Sequence, residues 1–115
     1  MKLVKSGSGE MVVKADYSKE LIIKPNEFKQ EGHQLQVVII PKQTKQRKHY
    51  HTMQTELCYM LEGECTILYN NEDIVVKMGD SFIYEPEDVH YHWNKTDKDV
   101  KILVFKLREQ LSSFT

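Results

Sequence analysis

Apolar and polar residues alternate along this chain in short runs. In order they are "MVVKADY", "ELIIKP", "HQLQVVII", "RKHYHT", "ELCYML", "CTILYN", "DIVVKM", "SFIYEP", "VHYHWN" and "VKILVFKL". Breaks fall at "SGSG", "KPNE", "QEG", "PK", "LEGE", "NNED" and "KMGD". Each run is rich in β-branched and aromatic side chains, the mark of strands with one buried face. Side chains two apart on a strand share a face, so the alternation assigns one face to a core and the other to solvent. Only the tail "REQLSSFT" has spacing that a helix can use. Many short strands at close spacing predict an all-β fold: a sandwich, barrel or jelly roll.

One turn can be read in more detail. Glu62-Gly63 lies between two apolar runs and predicts a tight hairpin, with Gly63 supplying the positive φ. A two-residue loop then sets Met60 opposite Cys65, Cys58 opposite Ile67 and Glu56 opposite Tyr69. The two cysteines fall diagonally on one face, where they are expected as reduced thiols in or near the core.

The length of 115 residues fits a single domain over 1–115, with a core at about 33–107, N-terminal strands over 1–32 and a short tail over 108–115. Sixteen basic and 17 acidic residues are mixed along the chain and leave a formal charge of −1. That balance offers no long-range pull on nucleic acid or an anionic membrane. The apolar run "VVII" is far short of the ~20 residues that span a bilayer. The start "MKLVKSGSGE" has no apolar stretch of signal-peptide length. A soluble cytoplasmic protein without nucleic-acid or membrane partners is expected.

The histidines change the picture. Four of the five fall in two HxH pairs, His49/His51 and His90/His92. On an extended chain both imidazoles of a pair point to one side. Glu56 has the parity of Cys58 and Met60, which read as core residues, and a buried carboxylate is costly unless it is paired or metal-bound. A lone HxH pair is ordinarily a solvated surface feature. A fold that brings residues 49–56 beside residue 90 instead collects three imidazoles and one carboxylate around one centre. Such nitrogen-rich ligation suits Mn, Fe, Co, Ni, Cu or Zn and disfavours Mg and Ca. Four protein ligands leave open positions for water or substrate.

These residues resemble the cupin superfamily. The spacing His49-x-His51-(x4)-Glu56-(x6)-Gly63 is similar to the first cupin motif, and Gly79-(x5)-Glu85-x-Glu87-(x2)-His90-(x3)-Asn94 to the second. The 15 residues between Gly63 and Gly79 look like the short spacing of small microbial cupins, and the resemblance covers about residues 37–105. It implies a cupin-like double-stranded β-helix, or jelly-roll barrel, with a divalent transition metal held inside by His49, His51, Glu56 and His90. It also implies a homodimer. The chain departs from the family pattern at Gln43 and Glu87, where glycine is usual, and at Glu85, where proline is usual.

His92 shares the metal-facing side of its strand, at a position where the family often has an apolar side chain. It is the candidate catalytic proton carrier, the plainer reading being a histidine satisfied inside the core. Phe82 and Tyr84 are expected to shape the pocket. Tyr50, Tyr91 and Trp93 alternate with the ligands and should face away. With "VVII", these outward aromatics mark the expected dimer face. The expected function is a metal-binding cupin acting on a small polar molecule, as a dioxygenase or a sugar or sugar-phosphate isomerase. The alternative is a non-catalytic metal-dependent sensor or carrier.

Overall fold

The computed structural model describes residues 1–27, 29 and 31–108. Among them the chain forms strands β1 (Glu10–Val13), β2 (Ser18–Ile23), β3 (Gln34–Ile40), β4 (Thr44–Lys45), β5 (Gln54–Glu62), β6 (Glu64–Tyr69), β7 (Glu72–Lys77), β8 (Ser81–Tyr84), β9 (His92–Asn94) and β10 (Val100–Arg108). The described residues include no helix, and the suggested helical tail lies, from residue 109 onward, outside them. Two antiparallel sheets pack face to face, in the orders β1-β2-β3-β10-β5-β8 and β4-β9-β6-β7. This is the expected double-sheet jelly roll.

Alternation does what period-2 geometry requires. On β5, Glu56, Cys58 and Met60 are buried while Leu57, Tyr59 and Leu61 are exposed. On β10, Val100, Ile102 and Val104 are buried, and Val38 and Ile40 of β3 join them. From the facing sheet come Cys65, Ile67 and Val76, which close one apolar core. Both cysteines lie in it unbridged. Burial pushes both thiols up, Cys65 to about 12, so they remain neutral small hydrophobes.

The hairpin expected at Glu62-Gly63 is not formed. β5 pairs with β10 and β8, whereas β6 pairs with β7 and β9. Gly63 instead carries the chain from one sheet into the other, with φ +79 and little room for a side chain: a Cβ there would sit 3.1 Å from Val100 Cγ2 and 3.2 Å from the Asp99 carbonyl. The true two-residue hairpin is Asn70-Asn71, both left-handed at φ 50 and 64, which joins Tyr69 to Glu72. Tyr69 therefore faces no part of Glu56 and stands exposed. "RKHYHT" is also not a strand. The short strand precedes it at Thr44–Lys45, and only His49 makes a ladder contact.

The two departures from motif glycines keep a glycine-like backbone. Gln43 has φ 54 and Glu87 has φ 73, both in the left-handed region. A non-glycine residue there stores roughly 1–3 kcal/mol of strain. Gln43 offsets it, since its Nε2 donates to the carbonyls of Lys95 at 2.9 Å and Thr96 at 3.0 Å. Glu87→Gly is expected to raise stability by about 0.5–1 kcal/mol, the relieved strain exceeding the added unfolded-state entropy. Gln43→Gly should give no such gain. Chemical denaturation of the two variants checks the contrast, and a loss of stability in Glu87→Gly would refute it.

Candidate metal centre

Two backbone bonds bring the distant histidine segments together. His49 N–H donates to the His90 carbonyl at 3.0 Å, and His90 N–H donates back to His49 at 2.9 Å. This isolated antiparallel bridge sets both rings on one side, with centroids 4.1 Å apart. His51, two residues on, turns the same way, and its carbonyl accepts the Glu87 N–H at 2.6 Å. Ligand atoms of His49, His51 and His90 all lie within 4.8 Å of one another. Glu56 comes from β5, where it pairs with Tyr84 on one side and Lys106 on the other. Its carboxylate is 3.1 Å from His90 Nε2 and 3.9 Å from His51 Nε2.

The donor chemistry fits a transition metal. The Nδ1 atoms of His49 and His90 contact the carbonyls of Arg47 at 2.9 Å and Asp88 at 3.0 Å. Carbonyls only accept, so these nitrogens carry the protons and both Nε2 atoms present lone pairs. His90 Nε2 is buried and, although close to Glu56, completes no hydrogen bond. An unprotonated nitrogen facing a carboxylate is repulsive unless a cation lies between them. Burial lowers the pKa of His49 and His51, which keeps both rings in the neutral, ligating form. For Glu56, burial alone would raise the carboxyl, but the Lys106 ammonium beside it pulls it down.

The four residues border a cavity of about 170 Å³ between the sheets, with Val38, Cys58 and Val104 as an apolar wall and Gln36, Gln46 and Lys106 as polar lining. His92 also lines it, buried. Its Nδ1 lies 2.7 Å from Gln46 Oε1, and Nε2 lies 3.5 Å from the Tyr84 hydroxyl. Both ring nitrogens are thus engaged, and burial lowers its pKa to about 3. Tyr84 stacks on His90 at 4.1 Å and 15°, which fixes the plane of that ring. Burial raises the Tyr84 phenol, so its hydroxyl keeps its proton.

Phe82 and Tyr84, read as shaping the pocket, both face the core, Phe82 partly buried against it and Tyr84 within it, and neither lines the cavity beside the histidines. The outward aromatics differ from one another. Tyr50 is exposed, but Tyr91 is buried, its hydroxyl bonded to Asp73, and Lys45 and Lys48 sit over its ring. Trp93 is sandwiched by the ammonium groups of Lys45 at 4.5 Å and Lys95 at 4.2 Å. Lysines of the same chain therefore sit over two of the aromatics expected at a dimer face, Tyr91 and Trp93. Sequence reading missed Lys106 and Gln46 altogether. For Lys106 a signal existed: in "VKILVFKL" it continues the inward parity of Val100, Ile102 and Val104.

Residues 36–106 match the family described as Cupin domain. An uncharacterized protein of Methanocaldococcus jannaschii is 32% identical over 82 residues, which make up 71% of this chain and 66% of that relative's length. Among solved structures, a predicted oxalate decarboxylase of Thermotoga maritima superposes with a TM-score of 0.76 at 18% identity, covering 93% of this chain and 99% of that one. A polyketide cyclase of Streptomyces resistomycificus gives 0.79 at 15% identity, over 100% and 87%. A sugar phosphate isomerase of Silicibacter pomeroyi gives 0.73 at 18% identity, over 98% and 83%. At these identities the likeness is one of fold.

Proposed function

The chain belongs to the cupin family, and on that premise we propose that it holds one divalent transition-metal ion through His49, His51, His90 and Glu56 and takes a small polar molecule into the adjoining cavity. The observation that carries this reading is the convergence of His49, His51 and His90, whose ligand atoms lie within 4.8 Å of one another, beside the buried Glu56 carboxylate 3.1 Å from His90 Nε2. Three imidazoles and a carboxylate suit Mn, Fe, Ni, Co, Cu or Zn. Such an ion, when bound, polarises a coordinated oxygen and so makes Lewis-acid or oxygen chemistry available. The chain's residues do the rest. The Arg47 and Asp88 carbonyls set the tautomers, Tyr84 orients His90, and the apolar wall limits water.

We read the protein first as a metal-dependent enzyme of small polar substrates. The similar structures bear the names of a decarboxylase, an isomerase and a cyclase, so the fold leaves the reaction to the cavity. The second reading, a sensor or carrier, is favoured by His92. That imidazole faces the cavity, yet Gln46 and Tyr84 occupy both its nitrogens, so proton exchange with a substrate has to pass through the Tyr84 hydroxyl.

Elemental analysis of protein prepared with each metal supplied is expected to find one ion per chain. Added metal at 100 times its dissociation constant should stabilise the fold by about 2.7 kcal/mol. Metal-free protein whose melting is indifferent to all six metals would sink the proposal. A small molecule recovered unchanged from the loaded protein would favour the carrier, and a converted one the enzyme.

A further inference from the structure

The inner face of the six-stranded sheet is divided. At one end Val38, Ile40, Met60, Val100 and Ile102 make it apolar. At the other end the cross-strand partners are Gln34, Lys106 and Glu56, three polar residues in a row over β3, β10 and β5. Lys106 is unexpected there. Its side chain is only 13% exposed, and its ammonium points into the metal-centre cavity 3.8 Å from Glu56 Oε1. A lysine buried to this degree needs a negative partner. In the metal-free protein Glu56 serves, but Glu56 is also the centre's only carboxylate. Once it ligates a dication, Lys106 faces a positive ion with its counter-charge committed. Arg47 adds a further cation at the cavity lining, and Asp16, which accepts the Arg47 backbone N–H at 2.7 Å, is the one other carboxylate there among the described residues. The loaded cavity then carries more positive than negative charge.

We propose that the cavity selects small anions, specifically carboxylates that chelate the metal, and that Lys106 is the residue that binds the carboxylate. This rests on the metal reading above and deepens it by naming the ligand class. The volume of about 170 Å³ sets the size class, that of a small molecule. A 2-hydroxy or 2-oxo acid of two or three carbons fits, with one oxygen pair on the metal and the carboxylate reaching Lys106. Lys19, half-buried on the inner face opposite Val38, keeps the region basic. Burial and the charges of Lys106 and Lys14 lower its pKa, which places these ammonium groups within each other's field.

The test uses metal-loaded protein and two isosteric chelators, glycolate and its neutral amide glycolamide, titrated by calorimetry. Metal uptake is measured first, by competition with a chromophoric chelator. Wild-type protein should prefer glycolate clearly. Lys106→Met should keep its metal and lose roughly 10- to 100-fold in glycolate affinity, the worth of a charge-assisted hydrogen bond, with glycolamide binding unmoved. Lys106→Arg should retain most of the preference. Should Lys106→Met fail to fold, Lys106→Gln, which keeps a polar head beside Glu56, replaces it with the same expected loss. Wild-type protein that takes up no metal overturns the metal reading and this proposal together. Metal uptake with glycolate binding indifferent to residue 106, or no preference over glycolamide, overturns this proposal alone.

Discussion

Replacing His49 and His51 together by alanine is expected to abolish metal uptake while leaving the fold intact. The two rings lie with His90 in a cluster whose ligand atoms fall within 4.8 Å. Removing two leaves one imidazole and one carboxylate, which cannot enclose an ion. Partners that merely orient a ligand are worth 10- to 100-fold in affinity, so losing two ligands should cost on the order of 10⁴-fold or more. The fold should survive because both rings are only half-buried and sit outside the apolar core. Apparent stability without metal should therefore move by less than about 1 kcal/mol, as for most changes that create no large cavity. Competition titration and melting of the same samples separate the two effects. Undiminished metal content in the double variant would place the ion elsewhere.

Asn94→Ala should produce the largest loss of stability among polar substitutions near the site. Asn94 is fully buried. Its Nδ2 donates to the carbonyls of Ile40 at 3.0 Å, Pro41 at 3.1 Å and Lys98 at 2.7 Å. Its Oδ1 accepts from the Thr96 N–H at 2.9 Å and hydroxyl at 2.7 Å. One side chain thus ties the end of β3 in one sheet to the β9–β10 connection that follows the other. Alanine would leave the buried Ile40 carbonyl and several part-buried partners without the amide, costs of about 1–3 kcal/mol that do not sum fully, so about 3–5 kcal/mol is expected. For a domain of this size that corresponds to a fall in Tm of roughly 10–20 °C. Asn94→Asp keeps the acceptor but not the donors, and should recover only part of the loss. A fall of less than 3 °C in Asn94→Ala would show that water replaces the amide at little cost.

The sequence by itself determined most features that depend on local geometry. Nine of the ten apolar runs are strands, because alternation with period 2 is a property of neighbouring residues and needs no partner. The same parity aimed Glu56 inward with Cys58 and Met60. The unusual concentration of histidine in two HxH pairs identified the metal-ligand candidates, and their motif spacing identified the family. The tertiary structure decided which strands meet. β5 and β6 are adjacent in sequence and joined by Gly63, yet they lie in different sheets. A hairpin signal records only that the chain turns, and burial of both inner faces against each other outweighs pairing of neighbours. Pairing between distant strands therefore supplied what local reading could not: Tyr84 and Lys106 as the flanks of Glu56, and Gln46 as the partner of His92. It also decided that the HxH segment is held by a single bridge to His90 rather than by a strand. Which charges share a cavity is a fact about residues far apart in the chain, and no local periodicity encodes it.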